Sequence, residues 1–182
     1  MSILHVDSSV LGENSVSRQL SAGVVARLKA ADPSAHVDHL DLAAAPLPHF
    51  VPGADNGQVD AFLAADTVVI GAPMYNFAVP SQLKAWIDSI LVAGRTFRYT
   101  PEGRVEGLAG PKRVIIAISR GGLYGAVSGQ EALEHVETYL RGVFAFIGLS
   151  PEFVIAEGVQ LGPDARVAAI EKAMGEIAAL AA

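Results

Sequence analysis

The chain has 182 residues, 51% of them hydrophobic and 18% charged, with a net charge of −6 and no cysteine. That length and composition predict one globular rather than disordered domain, residues 1–182, with a sizeable core, and the lack of cysteine excludes a disulfide scaffold. The acidic balance, with no Lys/Arg run, argues against nucleic acid as a partner. An anionic ligand stays open, because helix N-termini and backbone N–H groups bind phosphate without a lysine. No apolar run approaches the ~18 residues of a membrane-spanning helix. The N-terminus enters a strand directly, without the basic and apolar regions of a secretory signal, so the expectation is a cytoplasmic protein with no membrane partner.

In chain order, short β-branched runs alternate with helical patterns. Residues 2–6 read as a strand. Residues 15–31 follow as a helix with Leu20, Val24, Val25 and Leu28 on one face. Residues 36–40 form a short second strand. Residues 41–57 carry Pro46, Pro48 and Pro52 and read mostly as loop. A short helix at 60–65 precedes a third strand at 67–71. Residues 80–93 place Leu83, Trp86, Ile87 and Ile90 at three- and four-residue spacing, the pattern of an amphipathic helix. Residues 94–108 are an irregular or hairpin excursion. Strands at 112–118 and 153–156, a helix at 130–147 and a closing helix at 164–180 complete the chain.

Five strands separated by helices predict an α/β fold with a parallel sheet covered on both faces. Strands one, three and four are nearly continuous apolar runs, as doubly buried strands should be. Two orders fit: the flavodoxin-like 2-1-3-4-5, and half of a Rossmann sheet. In the first, the loops after strands one, three and four meet at the carboxyl edge, where open α/β sheets bind ligands.

Those three loops are unusual. The first, Asp7 to Ser17, is rich in hydroxyls; it reads as a capped helix or as a phosphate cradle, with Arg18 as a candidate added cation. The second, Gly71 to Phe77, reads as a turn whose Tyr75 and Phe77 close the core. Alternatively, it is a set of backbone groups with the Asn76 amide on the polar edge of a planar ring. The third, Ser119 to Gly125, has paired glycines that permit positive φ and close backbone approach, or merely make a flexible turn.

Competing chemistries have weaker support. His5, His36, His39, His49 and His135 form no HExxH-type pair, so no metal site is expected. Ser119 lacks a G-x-S-x-G elbow. The first loop has one glycine, Gly12, where a dinucleotide fingerprint needs three. Of the carboxylates a receiver domain needs at its loop ends, only Asp7 is placed suitably. The charges along 131–141 read as a solvated helix face.

Three segments resemble the FMN-binding segments of the FMN-dependent NADH azoreductase (NADH:quinone oxidoreductase) family. They are Ser9 with Ser15-Val16-Ser17, then Ala72-Pro73-Met74-Tyr75-Asn76-Phe77, then Ser119-Arg120-Gly121-Gly122. Gln82-Leu83-Lys84, Thr96-Phe97-Arg98-Tyr99-Thr100, Phe146-Ile147-Gly148 and Ala156-Glu157-Gly158 extend the likeness over most of the chain. The resemblance implies a flavodoxin-like three-layer sandwich with sheet order 2-1-3-4-5. Ser9, Ser15, Val16 and Ser17 would hold the phosphate and ribityl end of FMN. Met74, Tyr75, Asn76 and Phe77, with Ser119, Arg120, Gly121 and Gly122, would surround the isoalloxazine.

It further implies a ping-pong transfer of hydride from NADH or NADPH through FMN to quinones or azo compounds. The implied assembly is a homodimer in which Tyr99 and Phe146 shape the substrate pocket. No side chain is nominated as catalytic acid or base, since solvent can protonate the product. A non-enzymatic FMN electron carrier and a flavin-free binding module are the alternatives. Residues 41–66 are shorter than in larger members of that family, which bears on substrate preference.

Overall fold

A computed structural model describes residues 1–53 and 57–181. Its centre is a five-stranded parallel sheet of β1 (Ser2–Asp7), β2 (His36–Asp41), β3 (Thr67–Pro73), β6 (Arg113–Arg120) and β7 (Glu152–Glu157), in the order β2-β1-β3-β6-β7. Counted among these five strands alone, this is the flavodoxin-like order 2-1-3-4-5; the Rossmann half-sheet is excluded. The central strand β3 is buried along its whole length, whereas the edge strand β2 (HVDHLD) is exposed or half-buried throughout. Continuous against interrupted apolar sequence thus separates interior from edge.

Alternation along the strands divides the apolar side chains between two cores. Ile3, Val69, Ile115, Ala117 and Val154 face one side and pack on α1 (Val16–Ala31) and α5 (Pro163–Ala179), through Leu20, Val24, Ala173 and Ile177. Leu4, Val6, Val68, Ile70, Ile116 and Ile118 face the other. They meet Phe62 of α2 (Gln58–Ala64), Leu83, Trp86 and Ile87 of α3 (Ser81–Ile90), and Leu140 and Phe144 of α4 (Glu137–Phe146). Trp86 is fully buried with its ring edge-on to Phe62. Lys112 closes the C-terminus of α2: its ammonium donates to the carbonyls of Phe62, Leu63 and Ala65, where the helix dipole favours a cation.

The excursion between α3 and β6 is an antiparallel hairpin, β4 (Phe97–Tyr99) with β5 (Val105–Gly107). It docks on the end of α4 so closely that a Cβ on Gly107 would lie 2.2 Å from the backbone of Ile147 and Gly148.

The expected helix at 130–147 is interrupted. A short 3₁₀ turn, Glu131–Leu133, is followed by a break, and α4 begins only at Glu137. The cause is Glu134, whose carboxylate accepts from the N–H groups of Val136, Glu137 and Thr138. A side chain that satisfies the free donors of a helix start nucleates a new first turn there. Glu134 is therefore not on a solvated face: its side chain is buried against Arg120. Among the described residues, no helix is long and apolar enough to cross a membrane.

Candidate active site

The loops after β1, β3 and β6 meet over the carboxyl edge of the sheet. Between them lies a cleft of about 540 Å³, lined by Val10 and Leu11 of the first loop, Met74–Phe77 of the second, and Gly121, Gly122 and Tyr124 of the third, with Gln160 beyond β7.

The first loop leads into α1. Ser15 is its N-cap, with Oγ accepting from the Arg18 N–H at 3.3 Å and lying 3.1 Å from Ser17 Oγ. Both readings of this loop thus coexist, since the cap satisfies one donor only. The N–H groups of Val16 and Ser17 have no acceptor among the described residues, although both residues are buried. Arg18 is not a free cation. Its guanidinium donates twice to the Ser9 carbonyl and is bidentate to Asp41, at 2.8 and 2.6 Å. That hydrogen bonding holds the Asp41 carboxyl at about 2 and raises the pKa of Arg18. Arg18 shapes the loop from behind.

The second loop makes a two-residue turn. Tyr75 and Ala78 exchange both backbone hydrogen bonds, at 3.0 and 3.1 Å, and Asn76 and Phe77 between them have φ of 48° and 73°. Positive φ at both central positions marks a type I′ turn, which Asn tolerates and Phe does not favour. The turn is braced on three sides. Met74 N–H donates to the Ser119 carbonyl, His135 N–H donates to the Phe77 carbonyl, and Tyr75 hydroxyl meets Ser9 Oγ at 2.9 Å. This leaves the Asn76 and Phe77 N–H groups without an acceptor among the described residues.

In the third loop, neither Gly121 nor Gly122 has a positive φ, contrary to the expectation for paired glycines. What they leave is space: a Cβ on Gly121 would lie 2.9 Å from Gln160 Oε1 and one on Gly122 3.3 Å from the Tyr124 ring, so either would push a neighbouring side chain aside. Arg120 does not line the cleft. Its buried guanidinium reaches Glu137 at 2.9 Å, Glu134 at 3.1 Å and Glu157 at 3.5 Å. Glu157 in turn accepts from the N–H groups of Tyr124 and Gly125, which fixes the loop. Burial opposes ionisation of Glu134, but the N–H donors at the start of α4 outweigh it and hold the carboxyl below the usual range.

Comparison with known proteins decides the family. A profile described as flavodoxin-like fold matches residues 1–181. An FMN-dependent NADH:quinone oxidoreductase of Methylorubrum populi is 54% identical, with all of both chains covered. One from Xanthomonas campestris pv. campestris is 50% identical, with 99% of each covered. The chain belongs to the FMN-dependent NADH:quinone oxidoreductase family. Among solved structures, an azoreductase from Bacillus anthracis superposes with a TM-score of 0.85 at 29% identity, over 99% of this chain and 100% of that one.

Of the residues singled out in the sequence, the fold brings Met74, Tyr75, Asn76, Phe77, Gly121 and Gly122 together at the cleft. Ser9 and Ser119 stand just behind it, hydrogen-bonded to Tyr75 and Met74. Ser15, Val16 and Ser17 sit at the start of α1 and do not line it. Tyr99 and Phe146 do not line it either. They flank Phe97, with ring centroids 5.7 and 4.8 Å away, and Tyr99 is 65% exposed. Sequence reasoning passed over Gln160 and Tyr124 as cleft residues; the signal for Tyr124 was its place two residues after the glycine pair. Beside the turn lies a second, more apolar cavity of about 570 Å³, bordered by Val79, Lys84, His135 and Tyr139. Burial, helped by the charge of Asp88, pushes the Tyr139 phenol up to about 12.

Proposed function

We propose that this protein is an FMN-dependent oxidoreductase that takes hydride from NADH and delivers it to quinones, with reductive cleavage of aromatic azo compounds as a related activity. The carrying observation is the convergence of three loops on one cleft, in a chain 54% identical over its full length to an FMN-dependent NADH:quinone oxidoreductase. The cleft volume lies within the range of about 300–1,000 Å³ of cofactor-sized sites.

The residues fit FMN. The unpartnered N–H groups of Val16 and Ser17, the hydroxyls of Ser9, Ser15 and Ser17 and the positive end of α1 suit a terminal phosphate. Met74–Phe77 offers two free N–H groups and the Asn76 amide to a flavin edge. Ser119 to Gly122 offers backbone held close by the space its glycines leave. The side chain of Arg120 supports that loop rather than the ring. Bound FMN supplies the two-electron hydride chemistry; the protein supplies binding, orientation and electrostatics. No acid or base side chain is assigned, and a single cleft that would serve donor and acceptor in turn fits a ping-pong cycle.

The working unit in this reading is a homodimer of single-domain, three-layer subunits in the cytoplasm. The hairpin with its exposed Tyr99, and the half-buried Phe146, neither of them lining their own cleft, would complete the substrate pocket of the neighbour. The short 41–66 segment then tunes acceptor choice; its residues 54–56 lie outside the described residues.

Purified protein should be yellow, absorbing near ~450 nm as oxidised flavins do. It should release FMN, not FAD, on denaturation. It should also oxidise NADH with a quinone and no added reductase, which an electron carrier cannot do. A colourless protein, or recovery of FAD alone, overturns the reading.

A further inference from the structure

We propose that His5, Asp7 and His39 form a binding site for a divalent transition-metal ion, zinc in the first instance, separate from the cleft. The sheet assembles it. Parallel pairing of β1 with β2 sets His5 opposite His39, and both point to the α1 side, as Ile3 and Val37 do. Asp7, two residues beyond His5, lies on the same face.

On β3 a Cβ at Gly71 would stand 2.5 Å from Asp7 Oδ1, so only glycine leaves this carboxylate its place. Ser21 donates to Oδ1 at 2.8 Å. Oδ2 is left to the two imidazoles, 3.0 Å from His39 Nε2 and 3.4 Å from His5 Nε2. The three donor atoms lie within 4.8 Å of one another. Zinc–ligand bonds of about 2.0–2.2 Å place tetrahedral donors roughly 3.3 Å apart, so the Asp7 pairs already match. The His5 and His39 rings stack at 4.6 Å between centroids, and a change of side-chain torsion would bring their nitrogens together on the ion.

The burial of His5 also points to a ligand. Its side chain is 9% exposed, and beyond the long 3.4 Å approach to Asp7 Oδ2 its Nε2 makes no hydrogen bond. A buried nitrogen so weakly satisfied is unusual in folded proteins, and coordination would use it. The ion has an entry path, because the His39 side chain is about half exposed. The local charge also favours a cation. Arg18 is 3.8 Å from Asp7 Oδ2, but it is already matched by bidentate Asp41, leaving one carboxylate over.

Two imidazoles with one carboxylate select zinc, nickel or copper rather than magnesium or calcium. On binding, two metal–nitrogen bonds and one metal–oxygen bond form. Each imidazole binds as the neutral tautomer with its proton on Nδ1, so the proton that Nε2 directs at Asp7 moves to Nδ1 by exchange with solvent, and water completes the shell. The ion would tie edge strand β2 to β1 directly beneath the Ser8–Ser17 segment.

The test uses the full chain with its flavin, stripped of metal by chelator. It is dialysed against zinc chloride or magnesium chloride, its metal content is measured, and zinc affinity is read by calorimetry. One zinc per chain and no retained magnesium are expected. His39→Ala, on an exposed edge strand, should weaken zinc binding roughly 100-fold or more. His36→Ala, an exposed histidine paired with Asp38, should leave it unchanged. Substoichiometric zinc in the parent, equal retention of magnesium, or parent-like affinity in His39→Ala overturns the site. The readout is metal content, so failure leaves the FMN reading untouched.

Discussion

At Asn76 two roles fall on one residue: a left-handed backbone and an amide at the cleft. A left-handed conformation costs an ordinary L-residue roughly 1–2 kcal/mol, and Asn and Gly less. Asn76→Ala should therefore lower stability in urea unfolding by about 1 kcal/mol, whereas Asn76→Gly should not. Both should weaken FMN binding by a hydrogen bond's worth, about 0.5–1.5 kcal/mol, measured by fluorescence titration of the apoprotein. If the two variants keep parent-like FMN affinity, Asn76 is a turn residue only.

Asp41 gives a second prediction at this scale. Its carboxyl is held at about 2, chiefly by hydrogen bonding to Arg18, against an ordinary 3.8. A depressed carboxylate stabilises the folded state above its unfolded pKa, and the contribution is lost as pH falls through the folded value. Between pH 4 and 2 the parent should lose roughly 1–2 kcal/mol through this group, after allowance for solvent screening. Asp41→Asn should show a correspondingly flatter acid limb in denaturation curves taken at stepped pH.

Between elements, one buried arginine connects three segments. Arg120, at the end of β6, reaches Glu134 and Glu137 at the start of α4 and Glu157 at the end of β7. Removing one side of a buried ionic cluster strands the rest, at a cost of about 3–5 kcal/mol. Arg120→Ala should lose about that much stability and, through Glu157, loosen the Tyr124–Gly125 backbone. Faster amide exchange across residues 121–125 would report it; unchanged exchange would detach the arginine from the loop. The same cluster explains why the helix at 130–147 was misread as continuous. Charged residues at 131, 134 and 137 look like one solvated face. Only the position of Arg120, distant in sequence, turns Glu134 inward to start a new helix.

For the whole molecule, the decisive question is whether the hairpin serves a neighbour. Its Tyr99 is exposed, and its Gly107 allows a backbone approach to Ile147 and Gly148 that no side chain permits. Gly107→Ala should cost about 1–3 kcal/mol by overpacking. In the homodimer reading it should raise the quinone KM while FMN content stays at parent level. Tyr99→Ala should act on the same parameter without the stability loss. Sedimentation run alongside activity over a dilution series checks the assembly: specific activity should fall as dimers separate. A fully active monomer would remove the dimer and leave the cofactor assignment standing.

The sequence by itself determined the sheet, because doubly buried strands such as β3 and β6 must be apolar throughout, and amphipathic helices declare their period. It also singled out the three loops that border the cleft, since hydroxyls, an amide and paired glycines beside strand ends are local features. Tertiary structure decided what depends on partners far along the chain. Arg18 reads as an available cation until Asp41 pairs with it, and Arg120 reads as a cleft residue until Glu134, Glu137 and Glu157 draw its side chain away. Gly121 and Gly122, which could have taken positive φ, do not, and instead leave room beside Gln160 and Tyr124. His5 and His39 show no spacing motif, and only the register of β1 on β2 places them about one carboxylate. A pattern along the chain encodes periodicity and burial; charge pairing, clearance and ligand sets are distances across it, and those exist only once the sheet has formed.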